Sequence, residues 1–175
     1  MNALITCSSV YGSSLAYARE FASRTGLVLQ SVNSALIPSA DLVIHFGGLY
    51  AGKMSGLKTV LKKLSKNACL IVVTVGIADP AERENRQRIE SMISPQLSQH
   101  DSRLFCLRGC LDYSRLSAVH RAMMWALVKM IRRKEEKSAE DEGILTTYGK
   151  RADFTDFSTL EPVEAEVRRL QCRKA

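Results

Sequence analysis

The sequence predicts an α/β fold: an open parallel sheet with helices on both faces, built as a single domain over all 175 residues. Three observations predict it. Short apolar runs rich in β-branched residues stand at 3–7 (ALITC), 42–47 (LVIHFG) and 69–75 (CLIVVTV), each followed by small or turn-forming residues. Strands buried on both faces of a parallel sheet read this way, without polar alternation. Segments of helical period separate these runs, as β-α-β crossovers require, and no internal repeat or low-complexity linker interrupts them.

In chain order, residues 3–7 are the first strand. The helix after it places Leu15, Ala18, Phe21 and Ala22 on one face, with Ser13 or Ser14 as N-cap. Residues 27–32 and 103–108 are less uniformly apolar strand candidates of similar length and bring the number to five. Leu57, Val60, Leu61 and Leu64 recur at helical spacing, while Lys58, Lys62, Lys63 and Lys66 fall elsewhere. Asp79-Pro80-Ala81-Glu82 reads as a capping box opening a helix whose buried face is Ile89, Met92 and Ile93. Residues 138–143 read as a polar connector. Phe157, Leu160, Val163, Val167 and Leu170 outline a last helix, with Pro162 in its first turn.

Twenty-five Lys and Arg against 18 Asp and Glu give a net charge of +7, which calls for an anionic partner: nucleic acid, a lipid surface or an acidic ligand. Ordered zinc, RNA-recognition or helix-turn-helix signatures are absent, so nucleic acid ranks last of the three. Apolar runs such as 122–128 fall far short of the ~20 residues that span a bilayer. The N-terminus lacks the pattern of a signal peptide, and a cytoplasmic location is expected, with peripheral contact on the inner face of the cell membrane left open. Five cysteines without a Cys-x-x-Cys pair and three scattered histidines point to buried thiols and structural imidazoles, with no metal site.

Ligands of open parallel sheets bind beyond the carboxyl ends of the strands. After the first strand, Ser8, Ser9, Tyr11, Gly12, Ser13 and Ser14 lead into a helix. Hydroxyls and free amides there suit a phosphate, although a serine-rich turn that only caps the helix reads the same way. After the third strand come Gly48, Leu49, Tyr50, Ala51, Gly52 and Lys53, where glycines admit a flat ligand and Tyr50 offers a ring. Gly47, Gly52 and Lys53 also match the spacing of a nucleotide-binding P-loop, a rival reading weakened by Met54 where a hydroxyl should meet Mg²⁺. After the fourth strand, Val75, Gly76, Ile77 and Ala78 form a small-residue loop, and Asp79 is the helix cap. One phosphate loop and two later loops describe a site for a mononucleotide with a planar head. Flavin mononucleotide (FMN) fits it best.

The spacing of these loops resembles the flavodoxin superfamily over almost the whole chain. Beyond the fifth strand, Arg108-Gly109-Cys110-Leu111-Asp112-Tyr113, then His120-Arg121-Ala122-Met123-Met124 and Tyr148-Gly149-Lys150-Arg151-Ala152-Asp153-Phe154, resemble the menaquinone-dependent, oxygen-independent protoporphyrinogen oxidases. The resemblance implies a flavodoxin-like sheet of order 2-1-3-4-5, a helical insertion at about 111–145 after strand five, and bound FMN. It also implies oxidation of protoporphyrinogen IX to protoporphyrin IX with quinone as acceptor, or, as the alternative, a flavodoxin-type electron carrier without substrate chemistry.

Residues 115–137 hold seven Lys and Arg against two Glu, most of the net charge. A helical projection puts Leu116, Val119, Met123, Leu127 and Met130 on a stripe expected to pack inward, with Trp125 opposite among Arg121, Lys129 and Arg132. That cationic face is open to three readings: contact with an anionic membrane, contact with the propionates of a porphyrinogen, or plain solvation.

Overall fold

The computed structural model describes residues 1–50 and 52–173; Ala51, one of the residues expected at the cofactor, lies outside the described residues. In chain order the elements are β1 (Ala3–Ser8), α1 (Ser13–Thr25), β2 (Val28–Ser31), β3 (Leu42–Tyr50), β4 (Lys53–Met54), α2 (Leu57–Lys63), β5 (Cys69–Gly76), α3 (Arg83–Leu97) and β6 (Ser102–Arg108). Then follow β7 (Cys110–Asp112), α4 (Ala118–Arg132), α5 (Ala139–Thr147), β8 (Arg151–Asp153) and α6 (Glu161–Arg173). Five parallel strands lie in the order β2-β1-β3-β5-β6, the expected 2-1-3-4-5, and β4 adds an antiparallel edge to the end of β3.

Alternate residues of the central strands feed two cores. Ile5, Ile44, Phe46, Ile71 and Val73 pack with Tyr17 and Phe21 of α1 and with Val163 and Val167 of α6. Leu4, Val43, Leu70 and Val72 pack on the other face with Leu57 and Val60 of α2 and Ile89 and Ile93 of α3. Burial on both faces is why these strands read as unbroken apolar runs.

Several local expectations are corrected. The N-cap of α1 is Gly12, in a left-handed conformation, rather than Ser13 or Ser14. Helix α3 starts at Arg83, not at Pro80, because Asp79 turns its carboxylate to the Ala81 N–H and to Arg108 and so closes a separate turn ahead of the helix. Gly47, Gly48 and Tyr50 belong to β3, and Lys53 is exposed on β4. The segment is therefore a hairpin rather than a strand-to-helix loop, and its described residues form no phosphate cradle for the P-loop reading.

The polar stretch at 138–143 is the start of α5, held by a reciprocal capping box between Ser138 and Asp141. The insertion after β6 is not purely helical, since β7 and β8 pair as an antiparallel ribbon at its base. Helix α4 buries Val128 and Ile131; of the stripe expected to pack inward, Leu116 is buried, whereas Val119, Met123, Leu127 and Met130 are exposed. The reason is geometric: α4 packs beside α5, and Met123 and Leu127 border a cavity instead of a filled core.

Candidate functional site

The carboxyl ends of β1, β3 and β5 open onto a cavity of about 440 Å³. The β1–α1 loop contributes Tyr11, Ser13 and Ser14, the hairpin Leu49 and Tyr50, and the end of β5 Val75, Gly76 and Ile77. All three expected loops thus converge, as the strand order requires: β1 and β3 are neighbours whose crossovers leave in opposite directions. The remaining expected residues stand behind this lining. Ser8 bonds Ser55 through the two hydroxyls at 2.6 Å, and Ser9 Oγ accepts the Gly12 N–H at 3.0 Å. Gly48 lies beneath the Tyr50 ring. Gly52 and Ala78 line an adjoining cavity of about 700 Å³, and Lys53 is exposed.

The donors fit a mononucleotide phosphate at one end. The first amides of α1, at Ser13, Ser14 and Leu15, have no intrahelical acceptor, and the positive end of the helix dipole lies with them. Ser13 Oγ accepts the Cys110 N–H at 3.0 Å and so ties the inserted ribbon to this end. The other end is apolar and aromatic, suited to a planar ring: Leu49, Tyr50, Val75 and Ile77 line it. Burial pushes the Tyr50 phenol and the Cys110 thiol up from their ordinary values, so both are neutral at physiological pH.

Sequence reasoning missed the roof. Leu116, His120, Met123, Met124 and Leu127 close the cavity from the insertion, and Ile144 of α5 joins them. Their i, i+4, i+7, i+8 and i+11 spacing is visible in the sequence, but His120 reads there as a structural imidazole and Leu116, Met123 and Leu127 as part of a packed stripe. The His120 ring lies parallel to Tyr50, with centroids 6.0 Å apart, and bonds the Tyr11 phenol through Nδ1. Tyr11 also accepts the Ser117 N–H at 3.4 Å, so the β1–α1 loop holds the start of α4.

Leu49, Tyr50, Gly76, Ile77, Leu127 and Ile144 line both cavities, which therefore adjoin. The second continues between α3 and α4, past Met92, Met130 and Ile131, to Arg88, Glu84 and the Lys134–Asp141 ion pair.

On the outer side of α4, Trp125, Lys129 and Arg132 share a shallow groove with Tyr148, and Lys129 Nζ stands 4.9 Å from the Trp125 ring centroid. Arg121 does not join them, since its guanidinium donates back to Leu116 O at 3.1 Å. Among the described residues, no group of three or more His, Cys, Asp or Glu could hold a metal ion, and no helix is long and apolar enough to cross a membrane.

Comparison with known proteins agrees with this architecture. A flavoprotein-type structure from Bacteroides eggerthii is similar at a TM-score of 0.50 and 10% identity, over 76% of this chain and 99% of its own. A flavoprotein in complex with FMN from Lactobacillus acidophilus is similar at a TM-score of 0.45 and 12% identity, over 61% of this chain and 91% of its own. A Streptococcus pneumonia flavodoxin is similar at 0.42 and 16%, over 61% and 83% respectively. No curated protein sequence matches the chain. The family model for the flavodoxin domain matches residues 4–138, most of the chain and all five parallel strands, and the chain belongs to that family.

Proposed function

We propose that this protein binds FMN in the roofed cavity and is an oxidoreductase acting on a small molecule admitted beside the flavin. The observation that carries the reading is the cavity itself: helix amides and hydroxyls at one end, an aromatic slot at the other, and a second chamber adjoining it at Tyr50 and Ile77. The flavin would supply the two-electron chemistry. Ser13, Ser14 and the amides of α1 would hold its phosphate. Leu49, Tyr50, Val75, Gly76 and Ile77 would fix the plane of its ring, and Met123, Met124 and Leu127 would exclude water from above.

The roof and the second chamber favour a protein with its own substrate over a carrier that only exposes its flavin to another protein. The specific reaction proposed, oxidation of protoporphyrinogen IX with electrons passed to quinone, rests on the resemblance of the inserted segment. Anaerobic mixing of the FMN-loaded protein with protoporphyrinogen should bleach the flavin, and menadione should restore its colour. A flavin that stays oxidised removes this substrate and leaves the carrier reading.

A second reading concerns location. Val119 and Met130 are 68% and 66% exposed on α4, on a helix that also carries Lys129, Arg132 and Arg133. An apolar strip bordered by cations suits the surface of an anionic bilayer, where a lipid-soluble quinone would be met.

A further inference from the structure

His120 is the one imidazole among the described residues that line this cavity. Among the described residues that line this cavity there is no Lys, Arg, Asp or Glu. Its other titratable members are Tyr11, Tyr50 and Cys110, and burial keeps the last two neutral. His120 meets Tyr11 from the β1–α1 loop and Tyr50 from the hairpin. On its own helix the adjacent guanidinium of Arg121 is turned away to Leu116 O.

Reduction of a flavin by two electrons and one proton leaves it one charge more negative. An added charge in an apolar cavity is costly unless a counter-charge accompanies it. We infer that His120 is that counter-charge: when electrons enter the cavity it takes a proton from water and becomes imidazolium, and it returns the proton on reoxidation. The books balance at two electrons and two protons per cycle, one proton on the ring and one on the imidazole. On protonation both ring nitrogens become donors, and Nδ1 already faces the Tyr11 oxygen. The consequence is a flavin that is easier to reduce than the same cavity would make it without His120, as an acceptor of substrate electrons requires. This inference rests on the FMN reading above and goes beyond it by naming the group that tunes the cofactor.

The test is a potentiometric titration of FMN-loaded protein with dithionite at several values between about pH 7 and about pH 8. The wild type should take up about two protons per electron pair and His120→Gln about one. The preference for reduced over oxidised FMN should fall about tenfold or more in His120→Gln and be kept in His120→Lys, whose charge is permanent. Tyr11→Phe removes the hydrogen bond but keeps the imidazole, and should still take up about two protons. An unchanged proton count in His120→Gln, with FMN bound, overturns the inference and leaves the FMN reading standing. Failure of every form to bind FMN overturns both.

Discussion

The Asp156 N–H donates to the Tyr17 phenol oxygen at 2.9 Å across 139 residues of chain, and the same phenol donates to Arg108 O at 2.7 Å. Tyr17 is fully buried in α1, and the two backbone groups it joins are where the inserted segment leaves the sheet and where it returns. One side chain of the core therefore clamps both ends of the roof. Tyr17→Phe leaves both backbone groups short of a partner and should cost about 1–3 kcal/mol. Urea unfolding measures it, and an unshifted midpoint would show that the clamp is dispensable.

His45 should make stability depend on acid. It is fully buried in β3, where Nε2–H donates to Ser55 O at 2.9 Å and Nδ1 meets the Thr6 hydroxyl at 3.0 Å. Burial pulls its pKa from 6.5 down to about 4, against a smaller opposing effect of the bonds to Ser55 and Thr6. The folded protein thus favours the neutral ring. Its contribution is complete above about pH 6.5 and is lost as pH falls toward about 4, by about 3 kcal/mol in all. His45→Gln should remove most of this slope from the unfolding free energy between those values. An equal slope in both proteins would mean that other groups cause it.

Gly109 sets how closely the inserted ribbon approaches the start of α1. A Cβ there would stand 2.8 Å from Val75 Cγ1 and 3.0 Å from Ser13 Cβ. Gly109→Ala should push the ribbon off α1, cost about 1–3 kcal/mol and weaken FMN binding. Flavin fluorescence quenching and thermal unfolding measure the two effects, and an unchanged affinity would place the phosphate away from Ser13.

The parallel sheet was legible because its strands are buried on both faces and therefore unmistakably apolar, as in Cys69–Gly76. The three loops followed from strand order alone. The β3–β4 hairpin was hidden because Gly47 and Gly48 look like the end of a strand, whereas here they admit Met54 and the Tyr50 ring against the backbone. Helix α5 was hidden because its first turn is polar all round. A capping box and the Lys134–Asp141 pair hold it, neither of which leaves an apolar period. The roof was misread for the opposite reason: an apolar stripe normally means a packed face, but here Leu116, Met123 and Leu127 of the stripe border a cavity together with His120 and Met124, and Val119 and Met130 stay largely exposed.

That exposed stripe makes a separate prediction. Val119→Glu with Met130→Glu should abolish sedimentation with vesicles of mixed neutral and anionic phospholipid, while Trp125→Ala, on the opposite face of α4, should weaken it less. Equal loss for both would shift the contact to the Trp125 groove. No sedimentation of the wild type would remove the membrane reading.

The most direct measurement is the visible spectrum of the purified protein, with the mass of the ligand it releases and, if the protein is colourless, a titration with FMN. A flavin spectrum with one FMN per chain, lost on Ser14→Glu at the buried start of α1, is the result predicted here. A protein that stays colourless and leaves added FMN free in solution would contradict the account.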